Sequence, residues 1–582
     1  MLPRRAAVIL AALLILQPAL PAQQPAQPAN ASTAPQPSIR STTRLVQVSV
    51  VAIDNHGNPV TGLTKDDFTV SDQGAPQTVS VFTSATPAPA TPPFSFPPNV
   101  FTNRYDLKGQ DPGSVTIILF DALNTSAEDQ AYARKQILKF LQSMKPQDHI
   151  ALYALTTKLL ILHDFTQDSA ALVNAVGRFT PKESAAFDAS NAGMVDAIFS
   201  LSDSGTQLQS SSLTAIDEIA AQATENRVIS TANAISAIAN HVSSVPGRKS
   251  LVWVSGGFPL QISVNHIGVG GSDTTSFINT SSANDAKSAG KQVSIPDIKP
   301  AIRALNGSNI SIYPVDVHGV ELAMGMGPND RLPATTLAQQ GFFARRDRIE
   351  SFTTLADRTG GVAFYGNNDI LDGIRRAFDD GRFAYTIGFY PDHNTWDGNF
   401  REVKIKVKTP GVQLRYRKGY FAVPELADSE TTVKAALQDA AFSPLESTNL
   451  GMIVAAKSVG QAADRKLELR IALDPKQLLL ETSGDHRKGA IDMMFVQTSS
   501  TGDVQSAEKQ HFDVSLDDQQ FTFMSTAGMI LLRHVTVSPQ STDLRVILRD
   551  AASGALGSVA IPTKSLFPAA VPSATPVLVK PS

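Results

Sequence analysis

The strongest constraint on the fold is the apolar run Val-Thr-Ile-Ile-Leu-Phe at 115–120, which ends at Asp121. A strand that is apolar on both alternating faces has to be covered on both sides, which is typical of a central parallel strand. Thr125 or Ser126, followed by acidic residues, is typical of the first turn of a helix. The sequence therefore predicts a buried strand, a loop that begins at Asp121, and a helix that packs back onto the sheet.

Apolar runs and helical patterns continue to alternate over residues 114–423. Further strands are predicted at 150–156, 250–255 and 310–316, with helical segments between them. This alternation predicts the α/β class, with a doubly wound, mostly parallel sheet of Rossmann-like topology. Residues 180–226 are rich in Ala, Ser and Gln, which predicts a helical insertion in this domain.

Antiparallel β structure is predicted on both sides of the α/β domain. Residues 41–84 contain short β-branched runs separated by Gly and Pro turns, which predicts a small β module. Residues 85–113 follow as a Pro-rich linker. Residues 424–582 contain runs in which apolar and polar residues alternate, as at 466–473, and we expect a C-terminal β-sandwich there.

The N-terminal residues have the order of a secretory signal peptide. Arg4 and Arg5 precede an apolar run at 6–16, and a region of small residues ends near Ala22. We therefore expect residues 1–22 to be a signal peptide, followed by a disordered leader at 23–40. The protein would be exported, whether periplasmic, cell-surface or secreted, and no later stretch reaches the length of a membrane span.

Composition excludes several functional classes. The 582 residues carry 50 Lys and Arg against 53 Asp and Glu, a net charge of −3, which gives no reason to propose nucleic acid as a partner. The chain contains no cysteine, which excludes disulfides, thiolate metal sites and a cysteine nucleophile. The metalloprotease, nucleophile-elbow and P-loop motifs are also absent from the sequence.

Asp121 is the main candidate for a functional residue. In an α/β sheet, ligands bind beyond the carboxyl ends of the strands, and Asp121 follows the first central strand directly. Two interpretations are open from the residues alone. Asp121 is either part of a binding site or a side chain that braces the loop by accepting hydrogen bonds.

Three longer segments resemble the von Willebrand factor type A domain family, in its exported acidobacterial VWFA-related subfamily. They are Val-Thr-Gly-Leu-Thr-Lys-Asp-Asp-Phe at 60–68, the segment 120–134 around Phe-Asp-Ala-Leu-Asn-Thr, and Pro-Gly-Arg-Lys-Ser-Leu-Val-Trp-Val-Ser-Gly-Gly-Phe-Pro at 246–259. The resemblance covers about residues 41–420 and implies a type A-like α/β fold. It also implies recognition of a protein partner through the loops at the sheet edge.

The same resemblance implies a metal site. The family binds its metal through D-x-S-x-S after the first strand, a Thr before a later helix and an Asp after the fourth strand. Asp121 matches the first acid and Thr125 the second Ser, whereas Leu123 replaces the first Ser and cannot be a ligand.

The other two positions match only in part. Thr231 matches the Thr, and Ser255 stands where the second Asp is expected. The implied site at Asp121, Thr125, Thr231 and Ser255 is therefore degenerate, with Mg²⁺ as its candidate cofactor and Asp316 as the only acidic side chain expected nearby. The alternative is that these side chains hydrogen-bond to one another and fix the loops.

Together these observations predict an exported, non-catalytic protein of the adhesion type, whose protein partner is not identified. The long polar loops at 260–292 and 320–345 are candidates for the contact surface. Two alternatives stay open: a structural envelope or assembly component, and a hydrolase that uses unfamiliar residues. The absence of a recognisable nucleophile–base pair argues against the hydrolase.

Overall fold

The structure of the 582-residue chain is a computed structural model. None of the described helices is both long enough and apolar enough to cross a membrane. The predicted signal peptide at 1–22 and leader at 23–40 lie outside the described residues, as does the loop at 260–292. The structure describes residues 45–83, 96–107, 114–144, 149–180, 210–245, 248–257, 304–305, 307–318, 336–366, 370–393, 395–397, 399–422, 429–459 and 464–567.

Strands occur along the whole described chain and are numbered in chain order. Their bounds are β1 Val46–Ile53, β2 Phe68–Asp72, β3 Ala75–Gln77, β4 Val79–Thr83, β5 Val100–Thr102, β6 Ser114–Asp121, β7 Ile150–Leu155, β8 Leu159–Thr166, β9 Arg248–Ser255, β10 Ile310–Asp316, β11 Ala384–Phe389, β12 Phe400–Val407, β13 Gln413–Tyr416, β14 Gly419–Phe421, β15 Met452–Val459, β16 Lys466–Leu473, β17 Glu481–Ser483, β18 His486–Thr498, β19 Val504–Asp517, β20 Met529–Thr536, β21 Asp543–Asp550 and β22 Leu556–Pro562.

The α-helices lie mostly in the middle of the chain. They are α1 Ala127–Gln142, α2 Ser169–Arg178, α3 Ser210–Val242, α4 Thr336–Thr359, α5 Ile370–Arg382, α6 Glu430–Phe442, α7 Asp518–Ala527 and α8 Thr563–Leu566. As predicted, α1 follows the loop at Asp121, and the Ser126 side chain caps it by accepting from the Asp129 N–H. Residues 336–345, predicted as part of a loop, form the start of α4 instead.

The predicted central strand is the middle of a five-stranded sheet with the order β10-β9-β6-β7-β8. β10, β9, β6 and β7 run parallel to one another, and the edge strand β8 pairs antiparallel with β7. Ile117 and Leu119 share a core with residues of α3 and α4, whereas Ile118 and Phe120 share another with residues of α1, α2 and α5. The apolar run is thus covered on both faces, as its composition requires.

The N-terminal β module is built from two distant parts of the chain. β1 pairs with β11 and β13, and β2 pairs with β12, so that strands from both parts enclose one core. The predicted boundaries at 84 and 423 therefore do not match the strand pairing, because residues 384–421 join the module and not the central sheet. The alternating pattern of β12 indicates a half-buried strand, but it does not identify the partner strand.

The C-terminal residues form two antiparallel sheets around one core. Their orders are β20-β16-β15-β5 and β17-β18-β21-β22, with β19 paired to β18. Inward residues of both sheets, such as Leu469 and Val546, belong to the same core. Val100–Thr102, predicted as part of a linker, is a strand of the first sheet and pairs with β15.

The described chain as a whole is a mixed α/β protein in which most sheets are antiparallel. The prediction of a doubly wound, mostly parallel sheet for residues 114–423 is too broad. Mostly parallel pairing occurs in one sheet, whose last strand along the chain is β10 and which has one further parallel bridge, between Val315 and Phe364. This sheet places the carboxyl ends of β6 and β9 side by side, and with them Asp121 and Ser255.

Candidate functional site

The four residues of the predicted site lie together at the carboxyl edge of the central sheet. Asp121 ends β6, Ser255 ends β9, Thr125 lies in the loop before α1, and Thr231 lies within α3. All four are buried, with at most 1% of each residue exposed. The rule that places ligands beyond the strand ends therefore located a real cluster of polar side chains.

Four hydrogen bonds converge on the Asp121 carboxylate. Oδ1 accepts from the backbone N–H of Asn124 at 3.0 Å. Oδ2 accepts from Asn124 Nδ2 at 2.9 Å, Trp253 Nε1 at 2.9 Å and Ser255 Oγ at 2.8 Å. Three of the four donors meet at Oδ2, so this oxygen is fully used, and Oδ1 accepts the fourth. We call this group of side chains the Asp121 cluster. Its members are Asp121, Asn124, Trp253, Ser255, Thr231 and Arg227.

Local geometry explains why these donors meet. Alternate residues of a strand face the same side, so Trp253 and Ser255 both point from β9 towards Asp121. The backbone N–H of Asn124 bonds to an acid three residues earlier, which tightens the loop after β6. The Asp121 cluster is thus assembled by two neighbouring strands and one turn.

Arg227 and Thr231 approach the cluster from one turn of α3. Arg227 Nε donates to Asn124 Oδ1 at 3.0 Å. Asn124 Nδ2 in turn donates to Thr231 Oγ1 at 3.0 Å, and Thr231 Oγ1 donates to the Arg227 carbonyl at 2.8 Å. Both polar ends of the Asn124 amide are therefore used, and Asn124 links the helix to the carboxylate.

Burial dominates the electrostatics of the Asp121 cluster. It raises the pKa of Asp121 and lowers the pKa of Arg227, because burial disfavours the charged form of each group. The hydrogen bonds from Asn124, Ser255 and Trp253 act against the first shift, and the charge of Asp121 acts against the second. The charged forms of these two residues therefore stabilise each other.

Thr125 has a different role from the one that a metal site requires. Its Oγ1 accepts the backbone N–H of Gly256 at 2.9 Å, which joins the loop after β6 to the loop after β9. A Cβ on Gly256 would lie 2.8 Å from the Asn124 carbonyl oxygen, so this close approach requires glycine. Leu123, which replaces a ligand position, is buried in a core of the central sheet.

Asp316 belongs to a second set of contacts on the same edge. Its Oδ1 accepts from His318 Nδ1 at 2.8 Å, and its Oδ2 accepts from Arg348 Nε at 3.2 Å. Burial acts to raise the pKa of Asp316, but the hydrogen bond from His318 and the charge of Arg348 outweigh it and lower the pKa. Its charge is thus compensated by its own partners.

The donor set does not fit a divalent metal. Mg²⁺ requires oxygen ligands in octahedral geometry, whereas Oδ2 of Asp121 accepts three hydrogen bonds and Oδ1 accepts one, which leaves little of this carboxylate for a metal. The hydroxyl oxygens of the three candidate ligands also accept N–H groups: Ser255 from Gly257, Thr231 from Asn124, and Thr125 from Gly256. Within the described ranges, no three His, Asp or Glu side chains are arranged so that they could hold a metal ion.

Sequence reasoning missed three members of the cluster: Asn124, Trp253 and Arg227. Two of them carried a usable signal, since Asn124 lies inside the quoted loop and Trp253 is two residues before Ser255 on one strand. Arg227 is four residues before Thr231, which puts both on one helix face. Which face of α3 meets Asp121 could not be read from the sequence.

Fold and cluster together define a class: a mixed α/β protein with a buried hydrogen-bond network at the carboxyl edge of its central sheet. No protein-family model matches the chain, and no curated protein matches it. Solved structures that it resembles include proteins with von Willebrand factor type A domains.

Three of these structures illustrate the similarity. A von Willebrand factor type A structure from Catenulispora acidiphila is 11% identical, with 67% of this chain and 76% of that one covered and a TM-score of 0.22. An aerotolerance-related membrane protein from Bacteroides fragilis NCTC 9343 is 12% identical, with 46% and 99% covered and a TM-score of 0.21. Three N-terminal domains of the pili tip protein Mfa5 from Porphyromonas gingivalis are 8% identical, with 90% and 78% covered and a TM-score of 0.22. Similarity at this level carries no argument about function.

Proposed function

We propose that this chain is an exported, non-catalytic, adhesion-type protein that binds another protein through a von Willebrand type A-like, doubly wound α/β domain and the modules around it. The observation that carries the proposal is the closed Asp121 cluster. Catalytic groups need access to a substrate, whereas Asp121 is fully buried and accepts four hydrogen bonds from fixed donors. The cluster therefore holds loops in place, and recognition is left to the outer surface.

One large groove on that surface supports protein binding. It has a volume of about 1210 Å³ and is lined by α3 and α6, with Ser236, Asn240, Ala436 and Phe442 among its residues. That volume is larger than the roughly 300–1,000 Å³ of typical small-molecule sites. Phe442 is 63% exposed and Leu160, also on the groove, is 39% exposed. An exposed aromatic side chain such as Phe442 suits contact with a protein partner.

The test combines partner identification with a matched pair of variants. The full chain would be cross-linked to envelope proteins of the producing cell, and the partner would be purified and titrated by calorimetry. We expect Phe442→Asp to weaken binding at least about tenfold, because an aromatic anchor would be replaced by a charge. Phe523→Asp is the control, since Phe523 is 69% exposed on α7 and does not line the groove.

Two results would contradict this proposal. One is equal affinity of the two variants for the partner, which would show that the contact lies outside the groove. The other is turnover of a substrate by the purified chain, which would make it an enzyme. Sequencing the N-terminus of the protein from cell fractions tests export, which predicts a chain that starts near residue 23.

A second candidate function is a structural envelope or assembly component. The observation that favours it is the exchange of strands between modules: β11 to β14 complete the N-terminal module, and β5 completes a C-terminal sheet. Such exchange resists separation of the modules under load. Complete failure of cross-linking, together with loss of envelope integrity on deletion of the gene, would favour this candidate over the first.

A further inference from the structure

We infer that the guanidinium of Arg227 is the built-in cation of the Asp121 cluster, and that it takes the place of a divalent metal in this chain. The inference starts from the misfit described above, in which four donors occupy the carboxylate that the family resemblance assigns to a metal. A buried carboxylate without compensation is costly, so a positive charge is needed close to it.

The geometry links Arg227 to Asp121 through one amide. Arg227 Nε donates to Asn124 Oδ1 at 3.0 Å, and Asn124 Nδ2 donates to Asp121 Oδ2 at 2.9 Å. Arginine can only donate, so it fixes which end of the Asn124 amide faces the carboxylate. With the amide reversed, its oxygen would face Asp121 and repel it. Arg227 thus positions a donor as well as supplying charge.

Burial and charge balance support the same assignment. Arg227 is 7% exposed and Asp121 is fully buried, so water screens their attraction poorly. The two charges cancel. A divalent cation added to this pair would leave an excess of two positive charges among buried groups, and such an excess is strongly unfavourable. The site is therefore complete without a metal.

A double-mutant cycle tests this inference on the full chain. Arg227→Met and Asp121→Asn would be made singly and together, and urea midpoints measured. We expect the midpoint loss caused by Arg227→Met to fall by at least half in the Asp121→Asn background, because no buried negative charge is then left unpaired. Arg417→Met is the matched control: Arg417 is also 7% exposed, and its loss should be the same in both backgrounds.

A metal titration gives an independent measurement on the unmodified protein. We expect the melting temperature of the wild type to be the same in Mg²⁺, in Mn²⁺ and in EDTA, because a site filled by Arg227 has no place for an ion. A metal-dependent rise that Asp121→Asn abolishes would overturn the inference. Equal losses for Arg227→Met in both backgrounds would do so as well. If Arg227→Met does not fold, Arg227→Lys replaces it in the cycle, and the titration still decides.

Discussion

Two polar clusters that include residues of α3 each contain one aspartate, but they differ in how deeply it is buried. The Asp121 cluster is confined to the edge of the central sheet, and its carboxylate is fully enclosed. The second, called the His241 cluster, comprises Tyr105, Tyr153, Asp164 and His241, and it lies where different parts of the chain meet. His241 Nε2 is 2.5 Å from Tyr105 Oη, and Tyr153 Oη donates to Asp164 Oδ1 at 3.1 Å.

The partners of His241 show that this cluster connects different parts of the chain. His241 Nδ1 is 2.7 Å from the carbonyl of Glu446, which precedes the C-terminal sheets. A carbonyl can only accept, so Nδ1 carries a proton. The cluster thus ties α3, β8, the segment before β6 and the C-terminal region together. One cluster fixes loops within a domain, whereas the other joins domains and leaves Asp164 half exposed, at 54%.

The two clusters should differ most in the loss of stability when the aspartate of each is replaced by alanine. Asp121→Ala leaves four buried donors without an acceptor and should cost about 3–5 kcal/mol in the free energy of unfolding. Asp164→Ala should cost well under half of that, because water can replace an exposed carboxylate. Urea denaturation of both variants checks this, and similar losses would contradict the contrast drawn between the clusters.

A third buried charge extends the comparison, because among the described residues it has no charged partner of the kind that Asp121 has in Arg227. Lys249 lies at the start of β9, its Nζ donates to the Ser308 carbonyl at 2.7 Å, and burial lowers its pKa to about 7. Between pH 7 and the usual lysine range, the unfolded state therefore binds more protons than the folded state. Stability should rise with pH there by up to about 1.4 kcal/mol per pH unit.

The Lys249 prediction is checked by urea midpoints from pH 7 to 10. In Lys249→Met this rise should be absent. A wild-type stability that stays flat over the same range would show that the ammonium is compensated in the folded state.

A smaller effect on stability is expected from a substitution in the His241 cluster. Tyr105→Phe removes the hydroxyl that meets His241 and should lower the free energy of unfolding by about 1 kcal/mol. Tyr365→Phe, at a tyrosine that is 42% exposed, is the control and should have no measurable effect. Hydrogen exchange adds a sharper readout, since protection near Glu446 should decrease in Tyr105→Phe alone.

The smallest effect on stability is expected when the pH is lowered through the range in which Asp164 titrates. Burial acts to raise the pKa of Asp164, but the hydrogen bond and charge of His241 outweigh it and lower the pKa to about 2. A lowered carboxyl pKa stabilises the fold above the unfolded value near 4, and this contribution is lost as the pH falls towards 2. Melting temperatures between pH 5 and 2 should therefore fall less steeply in Asp164→Asn. Parallel curves would exclude a contribution from Asp164.

Local sequence patterns predicted much of the central sheet, because the run at 115–120 is apolar on both alternating faces and therefore has to be buried on both sides. The same patterns placed Asp121 and Ser255 at one edge, since the ends of neighbouring parallel strands meet there. They did not show that β12 belongs with β2, because alternation defines a strand and not its partner. They also missed Arg227, whose position depends on how α3 is rotated against the sheet.

The two-part N-terminal module has a consequence for how the molecule is made. The backbone N–H of Leu63 bonds to Tyr385 Oη across 322 residues, and β1 lies between β11 and β13. During synthesis the first strand emerges long before its partners, with both edges free and open to pairing with other chains. Closing such long loops slows folding. We therefore expect nascent chains of this protein to depend on chaperones until residue 421 has left the ribosome.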